Sequence, residues 1–296
     1  MATGLSVSST SNLSSGQKIL VANAIAANEP AAPDPDLVWS HRIPQGHKSW
    51  DILTYARLDQ ASALTEGVDL SVTQQLVTNA LSITPTEHGL LTTLSKSLMR
   101  RQGDTNVQAT AGAMMGKSLR RRHANDIIAM YDLFSKTMGG GATEPLDIND
   151  FRGAVAYLLT DNASTYGPAE PPFVAALHIE QISDIIADIS DPGTAAGTRF
   201  GFSAEMMQRW WKARDRLYGG EVFHSGNITL ASDSSVKGAI FAQQSLVTVV
   251  ANEADTTEQD DNSLRAIEYG IFQEWGEGER ADGHGVEIHS DATAHS

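Results

Sequence analysis

The sequence predicts an α+β fold with extended projections, and three observations carry that expectation. They are a β-prone run at residues 63–89, a helical period over residues 106–136, and alternating helix and strand patterns from residue 146 onward. In ALTEGVDLSVTQQLVTNALSITPTEHG, Val68, Leu70, Val72 and Leu76 share one parity, whereas Val77, Leu81 and Ile83 share the other. Neighbouring strand residues point to opposite faces, so neither face of such a strand is apolar throughout. Taken as one strand, residues 68–84 span about 55 Å at about 3.3 Å per residue, long for a globular domain. Its cover is expected to come from outside its own domain.

The remaining elements follow in order. Residues 1–36 are rich in Ser, Thr, Ala, Asn and Pro and read as a flexible arm. Its one amphipathic patch, Ile19, Leu20, Val21 and Ile25, fits either docking on a partner or a plain disordered tail. Residues 49–58 are β-prone and residues 59–67 supply turn residues, which makes a long hairpin with the quoted strand. Over residues 106–136, Val107, Ala111, Met114, Met115, His123, Ile127, Ile128, Tyr131 and Phe134 recur at helical steps. Such a helix is about 45 Å long, and MGGG at residues 138–141 is expected to stop it.

A helix at residues 147–159 has Asp147 or Asn149 as its N-cap. FVAALH, after three prolines, reads as a buried strand. IEQISDIIADIS follows as a helix with Ile179, Ile182, Ile185, Ile186 and Ile189 on one side. Residues 191–201 are loop-like, and residues 202–217 form a helix capped by Ser203. Strands are expected at residues 221–223, 239–241 and 246–250. NEADTTEQDDN then reads as an acidic link. SLRAIEYGIFQEW is a strand, GEGERADGHG turns the chain, and VEIH pairs back on that strand.

Composition narrows the function classes. The chain has 296 residues, 41% of them hydrophobic, enough for a substantial core. It has no Cys, which excludes disulfides, thiolate metal sites and Cys nucleophiles. With 21 Lys and Arg against 36 Asp and Glu, the net charge of −15 opposes general attraction to a phosphate backbone. No apolar run approaches the roughly 20 residues of a membrane span, and no basic stretch followed by an apolar one opens the chain. A soluble cytoplasmic product is expected.

Several residue groups invite a chemical role. GAMMGKS at residues 112–118 has three residues between its glycines, whereas a phosphate-binding loop needs four and a preceding buried strand; a helix surface is the simpler reading. RRRH at residues 120–123 spreads around a helix, which suits a solvated face with salt bridges to other subunits better than a phosphate stripe. Asp184 and Asp188, one turn apart, suit acid–base or metal chemistry in principle, yet read as a solvated helix face. His284, His289 and His295 lie near the C-terminus, where a metal site needs rigid convergence. His178 ends the buried strand, and without a nucleophile signature it reads as structural. Met206, Trp210, Ala213 and Leu217 make ordinary core spacing, with Trp211 beside them. No catalytic, cofactor-binding or metal site is assigned. What remains is architecture, and an uncovered ribbon gains little burial in a monomer.

Three stretches, TEGVDLSVTQQLVTNALSITPTEHG, FVAALHIEQISDII and SLRAIEYGIFQEWGEGERADGHGVEIHSDA, resemble in their order and spacing the major capsid proteins of tailed bacteriophages, with the Hong Kong 97-type fold. The resemblance covers nearly the whole chain. It implies an N-terminal arm at residues 1–45, an E-loop hairpin at 46–85, a P-domain with the spine helix at 86–145, an A-domain at 146–258, and returning P-domain strands with the C-terminus at 259–296. The implied function is structural rather than enzymatic and needs no cofactor. Pentamers and hexamers would build an icosahedral shell around double-stranded DNA, assembled in the host cytoplasm and found in the virion capsid. A scaffolding protein, a portal and a decoration protein are the implied partners, with no membrane and no sequence-specific DNA binding. A fused scaffolding region is not expected.

One branch of the family joins subunits by a Lys–Asn isopeptide bond, with the lysine on the E-loop. Here no lysine lies between Lys48 and Lys96, so Asn262 lacks a partner at the hairpin tip and a non-covalent shell is expected. Two alternatives stand beside this: an encapsulin-type compartment, against which the Ser/Thr-rich arm argues, and an oligomeric enzyme using His178.

Overall fold

The computed structural model describes residues 34–293 except 45, 62, 68, 70–72, 103–105, 161–165 and 191–215. The described elements are α1 (Asp34–Leu37), β1 (Trp39–Arg42), β2 (Trp50–Tyr55), β3 (Thr78–Ile83), β4 (Thr86–Ser95), α2 (Lys96–Gln102), α3 (Asn106–Tyr131), β5 (Thr137–Met138), α4 (Ile148–Leu159), β6 (Phe173–Leu177), α5 (Ile179–Ser190), β7 (Arg216–Leu217), β8 (Gly220–His224), β9 (Ser235–Ala242), β10 (Leu246–Asp261), β11 (Ala266–Glu279) and β12 (Gly285–Asp291). The strands form three sheets, ordered β5-β12-β9-β6-β8-β7, β1-β10-β11-β4 and β2-β3.

The six-stranded sheet explains why FVAAL is apolar at every position. Phe173, Ala175 and Leu177 face the helices, where they meet Phe151, Val155 and Leu158 of α4 and Ile185 of α5. Val174 and Ala176 face the other way, toward Ile127 and Tyr131 of α3 and Phe241 of β9. A strand covered on both faces has no polar side to show. Asp147 is the N-cap of α4, its Oδ1 accepting from the Asn149 amide at 3.0 Å.

The long helix exists, but it is shorter than expected and leaves Met114 outside its buried face. Met115, Leu119, His123, Ile127 and Tyr131 recur every four residues and are buried, whereas Met114 is 43% exposed. The expected row through Met115, His123, Ile127 and Tyr131 is therefore the buried one, and Met114, one position and about 100° away, falls outside it. The helix ends at Tyr131 rather than at the glycines, because the chain beyond it is captured: the Ser135 amide donates to Asp282 Oδ1 at 2.7 Å, and Thr137–Met138 pairs with β12. Gly139 has φ +103°, and a Cβ there would overlap the His289 carbonyl. Gly139 serves close backbone approach, not helix termination.

The quoted run of residues 63–89 is not one strand. β3 pairs only with β2, over Tyr55↔Thr78 to Trp50↔Ile83. β4 belongs to another sheet, against β11. Pro85, which has no amide donor, sits between them. Among the described residues 56–77 there is no strand. Extended backbone needs a ladder partner, and β2 supplies six residues of one.

Four further expectations change. The acidic link is the outer half of β10, in register with β11 through two irregularities to Asp261↔Ala266; lacking apolar alternation, it carried no strand signal. Residues 34–44 are not a free arm. Leu37 and Val38 lie in the core, β1 runs parallel to β10, and buried Asp34 accepts from Tyr131 Oη at 3.2 Å and Ser225 Oγ at 2.8 Å. The patch at Ile19–Ile25 lies outside the described residues. VEIH does not pair with β11: the amides of Arg280 and Ala281 donate to the Ser245 carbonyl, and β12 joins β9, with Val286 and Ile288 filling the core under α4. Leu217 ends not a helix but the two-residue strand β7, while Ser203, Met206, Trp210, Trp211 and Ala213 lie outside the described residues.

Candidate functional site

The residue groups singled out for chemistry are taken up by folding. His178 Nδ1 accepts from the Glu180 amide at 3.2 Å, and Gln181 Oε1 accepts from the His178 amide at 3.1 Å, a reciprocal cap on α5. Burial holds the His178 pKa below its ordinary value. Asp184 and Asp188 are not a solvated face. They reach the chain entering α4, Asp184 Oδ2 accepting from the Leu146 amide at 3.4 Å and Asp188 Oδ2 from the Ile148 amide at 3.2 Å. The sheet-facing side of α5 is thus partly polar, with Gln181 buried beside Ile185, and Ile179 is left exposed. Hydrogen-bond partners on α4 and β12 make that arrangement affordable, and no periodicity reveals them.

GAMMGKS lies in mid-helix in α3. Arg120 and Arg122 pair within the chain, with Asp36 at 2.5 Å and Asp126 at 3.0 Å, rather than waiting for another subunit. His284 Nε2 lies 3.1 Å from the Gly167 carbonyl, His289 lies within β12, and His295 is outside the described residues. Among the described residues no group of three or more His, Asp or Glu side chains is placed to hold a metal ion. Lys48 is exposed before β2, and Lys96, at the start of α2, pairs with Asp260 at 2.5 Å. Asn262 sits in the turn between β10 and β11.

What stands out is surface. Ile52 and Ile83 anchor the β2–β3 hairpin against Ile43, Val247 and Val249. Strand alternation then turns Leu53 and Tyr55 outward, and the loop beyond adds Leu58, Leu64, Leu76 and Val77, all more than half exposed. Six large apolar side chains on one projection, with Leu64 76% exposed, are cover without a covered partner among the described residues.

A second feature lies where α3 crosses the ribbon of β10 and β11. Trp275 is fully buried, stacked on His88 of β4 at 4.1 Å and tilted against His123 of α3 at 4.9 Å, and its Nε1 donates to Asp126 Oδ2 at 3.3 Å. His123 Nε2 lies 2.8 Å from Thr248 Oγ1 and 3.6 Å from Glu277 Oε1, which has no hydrogen-bond partner. Burial, with Asp126 nearby, pushes Glu277 up to about 7, and burial pulls His123 down to about 4. Glu279 is likewise raised to about 7, by burial and by Asp282.

The two kinds of group act in opposite directions. A carboxyl held above its ordinary value binds its proton more tightly in the folded chain, so its contribution is lost as pH rises from about 4.5 to about 7. His123, held below 6.5, costs stability as pH falls from there toward about 4. Glu277→Gln is therefore expected to raise the melting midpoint at pH 8 by about 3 °C and leave it unchanged near pH 4.5. Equal gains at both pH values would show that the burial is not what perturbs this group. The spacing Trp275, Glu277, Glu279 on one strand face is visible in the sequence; that α3 covers that face is not.

No protein-family model matches the chain, and no curated protein is significantly similar to it. Solved structures are similar over most of its length. The head structure of Helicobacter pylori bacteriophage KHP40 is 10% identical, with a TM-score of 0.69 over 90% of this chain and 93% of that one. The capsid of a native GTA particle is 10% identical, with a TM-score of 0.66 over 89% and 92%. The capsid structure of Cyanophage P-SCSP1u is 13% identical, with a TM-score of 0.65 over 90% and 92%. The chain shares the α+β fold of these shell-forming chains.

Proposed function

We propose that the chain is the major capsid protein of a tailed bacteriophage, assembling as pentamers and hexamers into an icosahedral shell around double-stranded DNA. The observation that carries this reading is the fold likeness to capsid chains, which leaves little of either chain unmatched. The exposed apolar hairpin supports it, since such a surface suits overlap between copies. In this reading β2, β3 and the loop between them are the E-loop, α3 is the spine helix with the long ribbon as P-domain, and the six-stranded sheet with α4 and α5 is the A-domain. The role is structural rather than enzymatic, in the virion capsid, with a scaffolding protein, a portal and a decoration protein as partners.

Electron microscopy of the purified protein tests this directly. Closed shells of uniform size, with DNA in particles recovered from infected cells, are the expected result. Chains that stay monomeric under all assembly conditions overturn it, and shells filled with an enzyme instead of DNA point to an encapsulin-type compartment.

The shell is held without covalent joints. Lys48 precedes the hairpin and Lys96 is engaged with Asp260, so no amine stands on the projecting loop to meet Asn262. Mature particles boiled in detergent are expected to give a single band at the 31.7 kDa chain mass. A resistant ladder of dimers and larger rings would contradict this.

A further inference from the structure

The hairpin leaves the body in three steps that change character. Trp50↔Ile83 and Ile52↔Leu81 lie at its base, where Ile52 and Ile83 are buried among Val247, Val249 and Ile43. The next body-facing pair outward is Thr54↔Asn79, and it is polar. Tyr166, on the loop between α4 and β6, meets both members of that pair: its hydroxyl lies 3.3 Å from Thr54 Oγ1 and accepts from Asn79 Nδ2 at 3.3 Å.

Donor counting fixes the direction of the remaining bonds. Thr54 Oγ1 donates its single hydrogen to the Asn79 carbonyl at 3.2 Å, so it has only lone pairs left for Tyr166, and the tyrosine hydroxyl donates to it. The bonds run from the Asn79 side-chain amide to Tyr166, from Tyr166 to Thr54, and from Thr54 to the Asn79 main-chain carbonyl, closing a circuit through that residue. Each hydroxyl both donates and accepts, which suits mutual strengthening.

The support behind Tyr166 is equally specific. Its ring stands edge-on to His284 at 6.1 Å, and His284 is held by the Gly167 carbonyl. Gly167 has φ +79°, and the Arg57 side chain, two residues past the end of β2, lies against it. Beyond this point the ladder gains one more bond, from the Ala56 amide to the Val77 carbonyl, and then ends.

We propose that Tyr166 is a latch that fixes the angle at which the hairpin projects, by clasping the last cross-strand pair that faces the body. The latch rests on geometry alone; its consequence for shell assembly rests on the capsid reading. A residue in this place sets where Leu58, Leu64 and Leu76 arrive on a neighbouring copy without touching that copy itself.

Hydrogen exchange of the full-length, unassembled chain separates the two. Tyr166→Phe keeps the ring and removes the hydroxyl, and Thr54→Val removes its acceptor at nearly the same volume. Each removes two of the three bonds and is expected to speed exchange at residues 50–55 and 78–83 by about fivefold or more. The double variant, which loses all three bonds, should be faster than either single one but fall well short of the product of the two effects, and residues 148–159 and 173–177 should be unchanged. Unaltered hairpin exchange in Tyr166→Phe, or additive effects in the double variant, overturns the latch. In parallel assembly trials, Tyr166→Phe is expected to form fewer closed shells than the wild type. Equal shell yield with a loosened hairpin overturns the claim that the latch sets the reach. Wild-type protein that forms no shells refutes the capsid reading instead, while the exchange result still decides the latch.

Discussion

Ile127→Asp is expected to abolish folding, with no soluble protein and no cooperative melting transition, whereas Met114→Asp folds and melts close to the wild type. Ile127 is 2% exposed and packs with Tyr131, Phe241 and Leu246 where α3 meets the six-stranded sheet. An ionised carboxylate placed there without a partner costs several kcal/mol, against a total stability of about 5–15 kcal/mol. Met114 lies one position off the buried row, so a charge there stays in water and changes stability by about 0.5 kcal/mol or less. A folded Ile127→Asp chain would remove the buried face of α3. An insoluble Met114→Asp would put Met114 back in the buried stripe, where its spacing in the sequence placed it.

Deleting residues 60–66 is expected to leave the single chain folded, with an unchanged melting midpoint, and to prevent closed shells. The deleted residues lie outside the β2–β3 ladder, and the described ones among them are exposed. Shortening a surface loop alters its closure entropy by only a fraction of a kcal/mol. Yet the deletion removes Leu64, the most exposed large apolar side chain among the hairpin's described residues. Loss of the folded chain would mean that the loop serves its own core. Normal shells would mean that copies meet elsewhere.

Much of the architecture was legible in local pattern. The apolar run FVAAL, the cap at Asp147 and the long helical period each state their environment within a few residues, and the structure keeps the strand and the cap and ends the helix at Tyr131. The errors share one cause. The acidic half of β10 has no apolar alternation, and it is a strand because β11 lies beside it. Residues 68–77 read as strand, and the described ones are not, because among the described residues only the single bond from the Ala56 amide to Val77 continues the ladder. Asp184 and Asp188 look solvated until the amides of Leu146 and Ile148 are brought to them.

By itself the sequence determined the α+β class, the existence of the hairpin and the long helix, and the lack of any cysteine chemistry, because propensity, periodicity and composition act through neighbours along the chain. Only the tertiary structure decided which face of α3 is buried, where β12 pairs, how Tyr166 clasps the hairpin and why Glu277 resists ionisation. Each of those depends on a partner 25 to 150 or so residues away, and the free energy of a ladder, a buried charge or a closed hydrogen-bond circuit exists only once that partner arrives.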